Sequence, residues 1–61
     1  MFRVIDTNET PNLIVSKNAR KAAAITAAAN AYRNVPKTVT LTIQKQNSAG
    51  KFETVGTFRT K

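Results

Sequence analysis

Between Lys17 and Arg33 the chain places Ala19, Ala22, Ala23, Ala24, Ala27, Ala28, Ala29 and Ala31 in one stretch, with no Gly or Pro among them. Alanine has the highest intrinsic helix propensity, so this stretch commits the middle of the chain to a helix and leaves two short flanks for everything else. Ser16 is suited to an N-cap, Asn34 to a left-handed residue after the C-terminus, and Val35-Pro36 to stopping propagation. Ile25 and Tyr32, seven residues apart, share a stripe with Ala22, Ala28 and Ala29, which is the face expected to pack on a sheet.

The flanks read as strands. Phe2 to Asp6 and Asn12 to Ser16 are rich in β-branched and large apolar residues, and the Thr7-Asn8-Glu9-Thr10-Pro11 segment between them carries turn chemistry. With Thr7 to Thr10 as the loop, Phe2 is expected opposite Val15 and Val4 opposite Leu13 on the core face, with Ile5 and Ile14 on the other. Thr38 to Gln46 alternates Val39, Leu41 and Ile43 with Thr38, Thr40, Thr42 and Gln44, the pattern of a half-buried strand. Asn47-Ser48-Ala49-Gly50 suits a type I turn closed by a left-handed Gly, with Lys51 to Thr60 returning as the partner strand.

In this second hairpin Lys45 falls opposite Glu53 as an ion pair and Ile43 opposite Val55 as a core pair. Phe52 and Phe58 have the opposite parity to Val55, so a bulge at Val55-Gly56 is expected to return Phe58 to the core and leave Phe52 outside. The predicted fold is α+β, ββαββ: a four-stranded, mainly antiparallel sheet with one Ala-rich helix on one face. It is one domain over residues 1–61. A chain this short, with no Cys or His to anchor a disulfide or a metal staple, has limited core to work with, so a homodimer is a reasonable expectation.

Ten Lys or Arg stand against three Asp or Glu, a formal charge of +7. On so small a surface that field favours nucleic acid, DNA or RNA, or an acidic protein surface; plain solubility is the competing explanation. No apolar run is long enough to span a bilayer, and the N-terminal residues lack the pattern of a secretory signal, so no membrane partner and a cytoplasmic location are expected.

Catalytic chemistry is poorly supplied. The chain has no His or Cys, and Asp6, Glu9 and Glu53 are its only carboxylates, two of them at or beside a turn. Acid–base or nucleophilic catalysis and a metal centre are therefore not expected, nor is any cofactor. Gly50 and Gly56 are the only glycines, which excludes phosphate-loop and dinucleotide fingerprints.

The most informative segment is Ser16-Lys17-Asn18-Ala19-Arg20-Lys21, where Lys17, Arg20 and Lys21 crowd the expected helix start. Cations there oppose the helix macrodipole, and together with free backbone N–H groups they form a seat for phosphate. Ser16, Lys17 and Lys21 ahead of the alanines resemble the start of the last helix of double-stranded RNA-binding domains, a resemblance that implies phosphate contacts at these three residues. Asn18 and Arg20 depart from that pattern, and that family places three strands before the helix instead of one hairpin.

Arg33, Lys37, Lys45, Lys51 and Arg59 complete the candidate nucleic-acid-binding residues, with Arg3 and Lys61 as further cations; Lys residues along sheet edges also serve as a defence against edge-to-edge aggregation. The outer sheet face, with its threonines, Gln44, Phe52, Ile5 and Ile14, is suited to dimerisation, base stacking or a partner. The leading expectation is a non-enzymatic nucleic-acid-binding protein with phosphate-backbone contacts, weak sequence preference and a dimeric state. The alternative is a small phage or mobile-element module that binds or inhibits a host protein through a basic surface.

Overall fold

A computed structural model describes residues 1–60. The order of elements is β1 (Phe2–Asp6), β2 (Leu13–Asn18), α1 (Lys21–Ala31), β3 (Thr40–Gln46) and β4 (Phe52–Arg59). The four strands form one sheet in the order β2-β1-β3-β4, and every neighbouring pair is antiparallel. This is the expected ββαββ arrangement, with β1 and β3 central and β2 and β4 at the edges.

Helix α1 lies across β2 and β1 on one face. Val4, Leu41 and Ile43 rise from the sheet to meet Ala24 and Ala28, all of them buried, with Phe2, Val15, Ile25, Tyr32, Val39 and Phe58 packed around them. Two alanines one turn apart let the helix backbone approach the sheet closely, and that approach brings the Ala24 carbonyl within 2.7 Å of the Ser16 hydroxyl, which donates to it. The buried stripe thus runs through Ala24, where the expected stripe had the exposed Ala22.

The expected helix boundaries need correction. Ser16 does not cap the helix: Ser16, Lys17 and Asn18 continue β2, opposite Val4, Arg3 and Phe2. Pairing along the whole of β1 satisfies the backbone groups on their inner side and wins over the high helix propensity that follows. The chain then turns at Asn18, whose side-chain oxygen accepts from the Arg20 N–H at 3.1 Å, and α1 begins at Lys21 with Arg20 as its N-cap residue. At the other end Tyr32 is the C-cap residue, its N–H shared between the carbonyls of Ala28 and Ala29. No described non-Gly residue has a positive φ, so Asn34 does not take the left-handed conformation.

The first hairpin also differs in register. Phe2 pairs with Asn18 and Val4 with Ser16, where Val15 and Leu13 were expected, and an irregularity beside Val4 and Ile5 leaves Val15 as the extra residue. The loop is longer than the expected four residues because β2 begins only at Leu13, opposite Asp6, whose carboxylate accepts from the Asn8 N–H at 2.9 Å and shapes the start of the loop. Ile5 and Ile14 do pair, on the face away from the helix.

In the second hairpin Lys45 stands opposite Glu53 as expected, and Gly50 closes the turn with φ +82°. The register shifts between Ile43 and Gln44, so Gly56 and not Val55 lies opposite Ile43. Val55 is the bulged residue and is 46% exposed. The bulge has the anticipated effect: Phe58 reaches the core opposite Leu41, while Phe52 pairs with Gln46 on the outer face.

Candidate nucleic-acid interface

The antiparallel ladder decides which cations are neighbours. One row across the sheet runs Lys17–Arg3–Gln44–Thr54 on the outer face, and the next runs Asn18–Phe2–Lys45–Glu53 on the helix side. The end of β2, the start of β1, the end of β3 and the start of β4 therefore share one end of the sheet. Only Ala19 and Arg20 separate β2 from α1, so the helix start sits there too. Arg3, Lys17, Arg20, Lys21, Lys45 and Lys51 all gather at this end.

The opposite end holds Arg33 and Lys37 after the helix and Arg59 at the close of β4. These three predicted site residues are not brought together with the others. That end also holds Asp6 and Glu9, so two of the three carboxylates lie away from the larger group of cations. Lys61 lies outside the described residues.

Within the basic end the helix start departs from the predicted geometry. Lys17 does not sit on the first turn of α1; it is an exposed strand residue on the outer face, directly opposite Arg3. Arg20 and Lys21 do flank the start of the helix, which has no side-chain cap and no acidic residue in its first turn. Its first backbone N–H groups have no partner within the helix and add partial positive charge to that of the side chains.

Lys45 places its ammonium 5.9 Å from the centre of the Phe2 ring. Glu53, the carboxylate of this end, accepts from the Asn47 side-chain amide at 2.9 Å in place of the expected ion pair with Lys45. Asn47 also accepts from the N–H groups of Ala49 and Lys51 through its side-chain oxygen, which fixes the turn that carries Lys51.

Arg3 and Phe52, named in the sequence only as a further cation and an outer-face residue, are brought together by the fold. Arg3 extends from β1 over β3, donates from Nε to Gln44 Oε1 at 2.7 Å, and sets its guanidinium carbon 3.9 Å from the centre of the Phe52 ring on β4. Nothing local in the sequence joins positions 3, 44 and 52; their meeting depends on β1 pairing with β3.

No family model, curated protein or solved structure matches this chain. The arrangement of its own residues therefore carries the functional reading. No helix among the described residues is long and apolar enough to cross a membrane.

The remaining polar cluster is at the far end. Asp6 is 4% exposed, accepts from the Tyr32 hydroxyl at 2.6 Å and from the backbone and side-chain N–H groups of Asn8 at 2.9 and 3.0 Å. The Tyr32 hydrogen bond, helped by Asn8 and the Lys37 charge and opposed by burial, holds the Asp6 carboxyl below its ordinary value. The same bond, together with burial and the Asp6 charge, pushes the Tyr32 hydroxyl up to about 12. Asp6 thus has its partners within the fold, tying the end of β1 to the end of α1.

Proposed function

We propose that this protein is a non-enzymatic nucleic-acid-binding protein that seats a phosphate backbone against the basic end of its sheet, with weak sequence preference. The observation that carries this reading is the segregation of charge: Arg3, Lys17, Arg20, Lys21, Lys45 and Lys51 at one end, with Glu53 as its carboxylate and Asp6 and Glu9 at the other. A polyanion gains most from cations that lie side by side, because each phosphate neutralised releases condensed counterions. The uncapped N-terminus of α1 adds to the same field.

A cytoplasmic protein fits this reading. A homodimer is compatible with it where the second copy pairs along an edge, since β2 and β4 each have one side without a strand. The direct test is a mobility-shift assay at low salt with duplex DNA, single-stranded DNA and structured RNA. Retardation of at least one of them by the unmodified protein is expected, and free migration of all three contradicts the proposal.

One feature favours the second reading, a phage or mobile-element module that binds a host protein. Leu13 and Ile14, on edge strand β2, are 49% and 46% exposed beside Pro11, a small apolar strip next to an open strand edge. Capture from a lysate with and without nuclease separates the two: partners lost on nuclease treatment support the first reading, and protein partners retained after it support the second.

A further inference from the structure

Among the described residues, no second layer covers the face of the sheet opposite α1. The pairing register places Arg3, Lys17 and Arg59 on it, among threonines of β3 and β4, while Asp6 and Glu53 belong to the helix-bearing side. Among the described strand residues this face therefore carries cations and no carboxylate. A second copy meeting it through a two-fold axis would set Arg and Lys against Arg and Lys, which disfavours self-association here. Its charge is complementary to a polyanion.

The Arg3–Phe52 pair adds something phosphate binding alone does not require. Gln44 holds the guanidinium through Nε at 2.7 Å, and the guanidinium carbon lies 3.9 Å from the centre of the half-buried Phe52 ring, so a cationic π-surface lies on the open face toward β4, across the sheet from Lys17 on β2. Nucleobases stack on aromatic rings and on Arg guanidinium planes, but only where they are unpaired and free to splay out; in a duplex their faces are already stacked on one another. We infer that the outer face takes single-stranded nucleic acid, with one base stacked at the Arg3–Phe52 pair and the strand crossing the sheet so that a phosphate further along it meets Lys17 on β2. This rests on the nucleic-acid reading above and names the form of its ligand.

The experiment compares a dye-labelled single-stranded DNA oligonucleotide of mixed sequence with the duplex of the same sequence, by fluorescence anisotropy, for the unmodified protein and for Phe52→Leu, Phe52→Tyr and Arg3→Lys. Phe52→Leu is expected to weaken single-strand binding by between about fivefold and about a hundredfold, the range for loss of one stacked base, and to leave duplex binding within about twofold. Phe52→Tyr restores single-strand binding, and Arg3→Lys, which keeps the charge and removes the plane, reproduces much of the loss. Should Phe52→Leu be too unstable to measure, Arg3→Lys decides alone. Unchanged single-strand affinity in both variants, or equal losses for single strand and duplex, overturns this inference and leaves the basic end as a phosphate seat. Absence of binding by the unmodified protein to either ligand overturns this inference, and the nucleic-acid reading falls with it if structured RNA is not bound either.

Discussion

Asp6 and Tyr32 join β1 to the end of α1 through a 2.6 Å hydrogen bond in which the carboxylate is charged and the hydroxyl neutral. Asp6 titrates below its ordinary value in the folded chain, so its contribution to stability is full above the unfolded value, near 3.8, and is lost as pH falls through the lower folded value. Tyr32 is raised, so its contribution is full below 10.0 and is lost as pH rises toward about 12. Tyr32→Phe is expected to cost ~1–3 kcal/mol near neutral pH, because it leaves the buried carboxylate one donor short. The same variant should flatten the alkaline limb, as read by urea denaturation across pH. The sequence shows Asp6 beside a turn and Tyr32 on the helix stripe, but not their meeting, since that depends on how far α1 runs along the sheet.

The start of α1 is where stability and the proposed function pull in opposite directions. Lys21 is the first helical residue and adds positive charge where the macrodipole is already positive. Lys21→Glu is expected to stabilise the fold by ~0.3–1 kcal/mol in thermal or urea unfolding while weakening nucleic-acid binding. A loss of stability would show that Lys21 has a structural role instead. In β4, Val55 is the unpaired, exposed residue of a bulge whose flanking pairs, Ile43 with Gly56 and Gln44 with Thr54, close into a regular ladder without it. Deletion of Val55 should therefore keep Phe58 inside and Phe52 outside at a change of under ~1 kcal/mol. Loss of cooperative unfolding in that variant would contradict this account of the bulge.

The bulge was legible in the sequence because Phe52, Val55 and Phe58 cannot alternate together on one regular strand, and the alanine run marked the helix for the same local reason. The helix start was not legible. Ser16-Lys17-Asn18 reads equally well as a capped first turn, and only pairing with Val4, Arg3 and Phe2 draws it into β2. Local propensity reports what a segment prefers alone, and here a neighbouring strand with unsatisfied backbone groups outweighs it.

At the scale of the whole molecule, +7 of formal charge was plain from composition, but its placement was not. Lys17, Arg20 and Lys21 are close in sequence and remain at one end; Lys45, Lys51 and Arg3 join them only because the strand order β2-β1-β3-β4 and its antiparallel registers bring those chain segments alongside. The same registers carry Arg33, Lys37 and Arg59 to the far end, although the sequence grouped them with the rest. The most direct test of this segregation is a salt titration of oligonucleotide affinity for the unmodified protein, for Lys17→Gln/Lys45→Gln and for Arg33→Gln/Lys37→Gln. The logarithm of affinity should fall linearly with the logarithm of salt concentration, by about 0.7 per neutralised phosphate on a single strand. The slope should become shallower for the Lys17/Lys45 variant and stay unchanged for the Arg33/Lys37 variant; affinity indifferent to salt, or the opposite ranking of the two variants, contradicts the account.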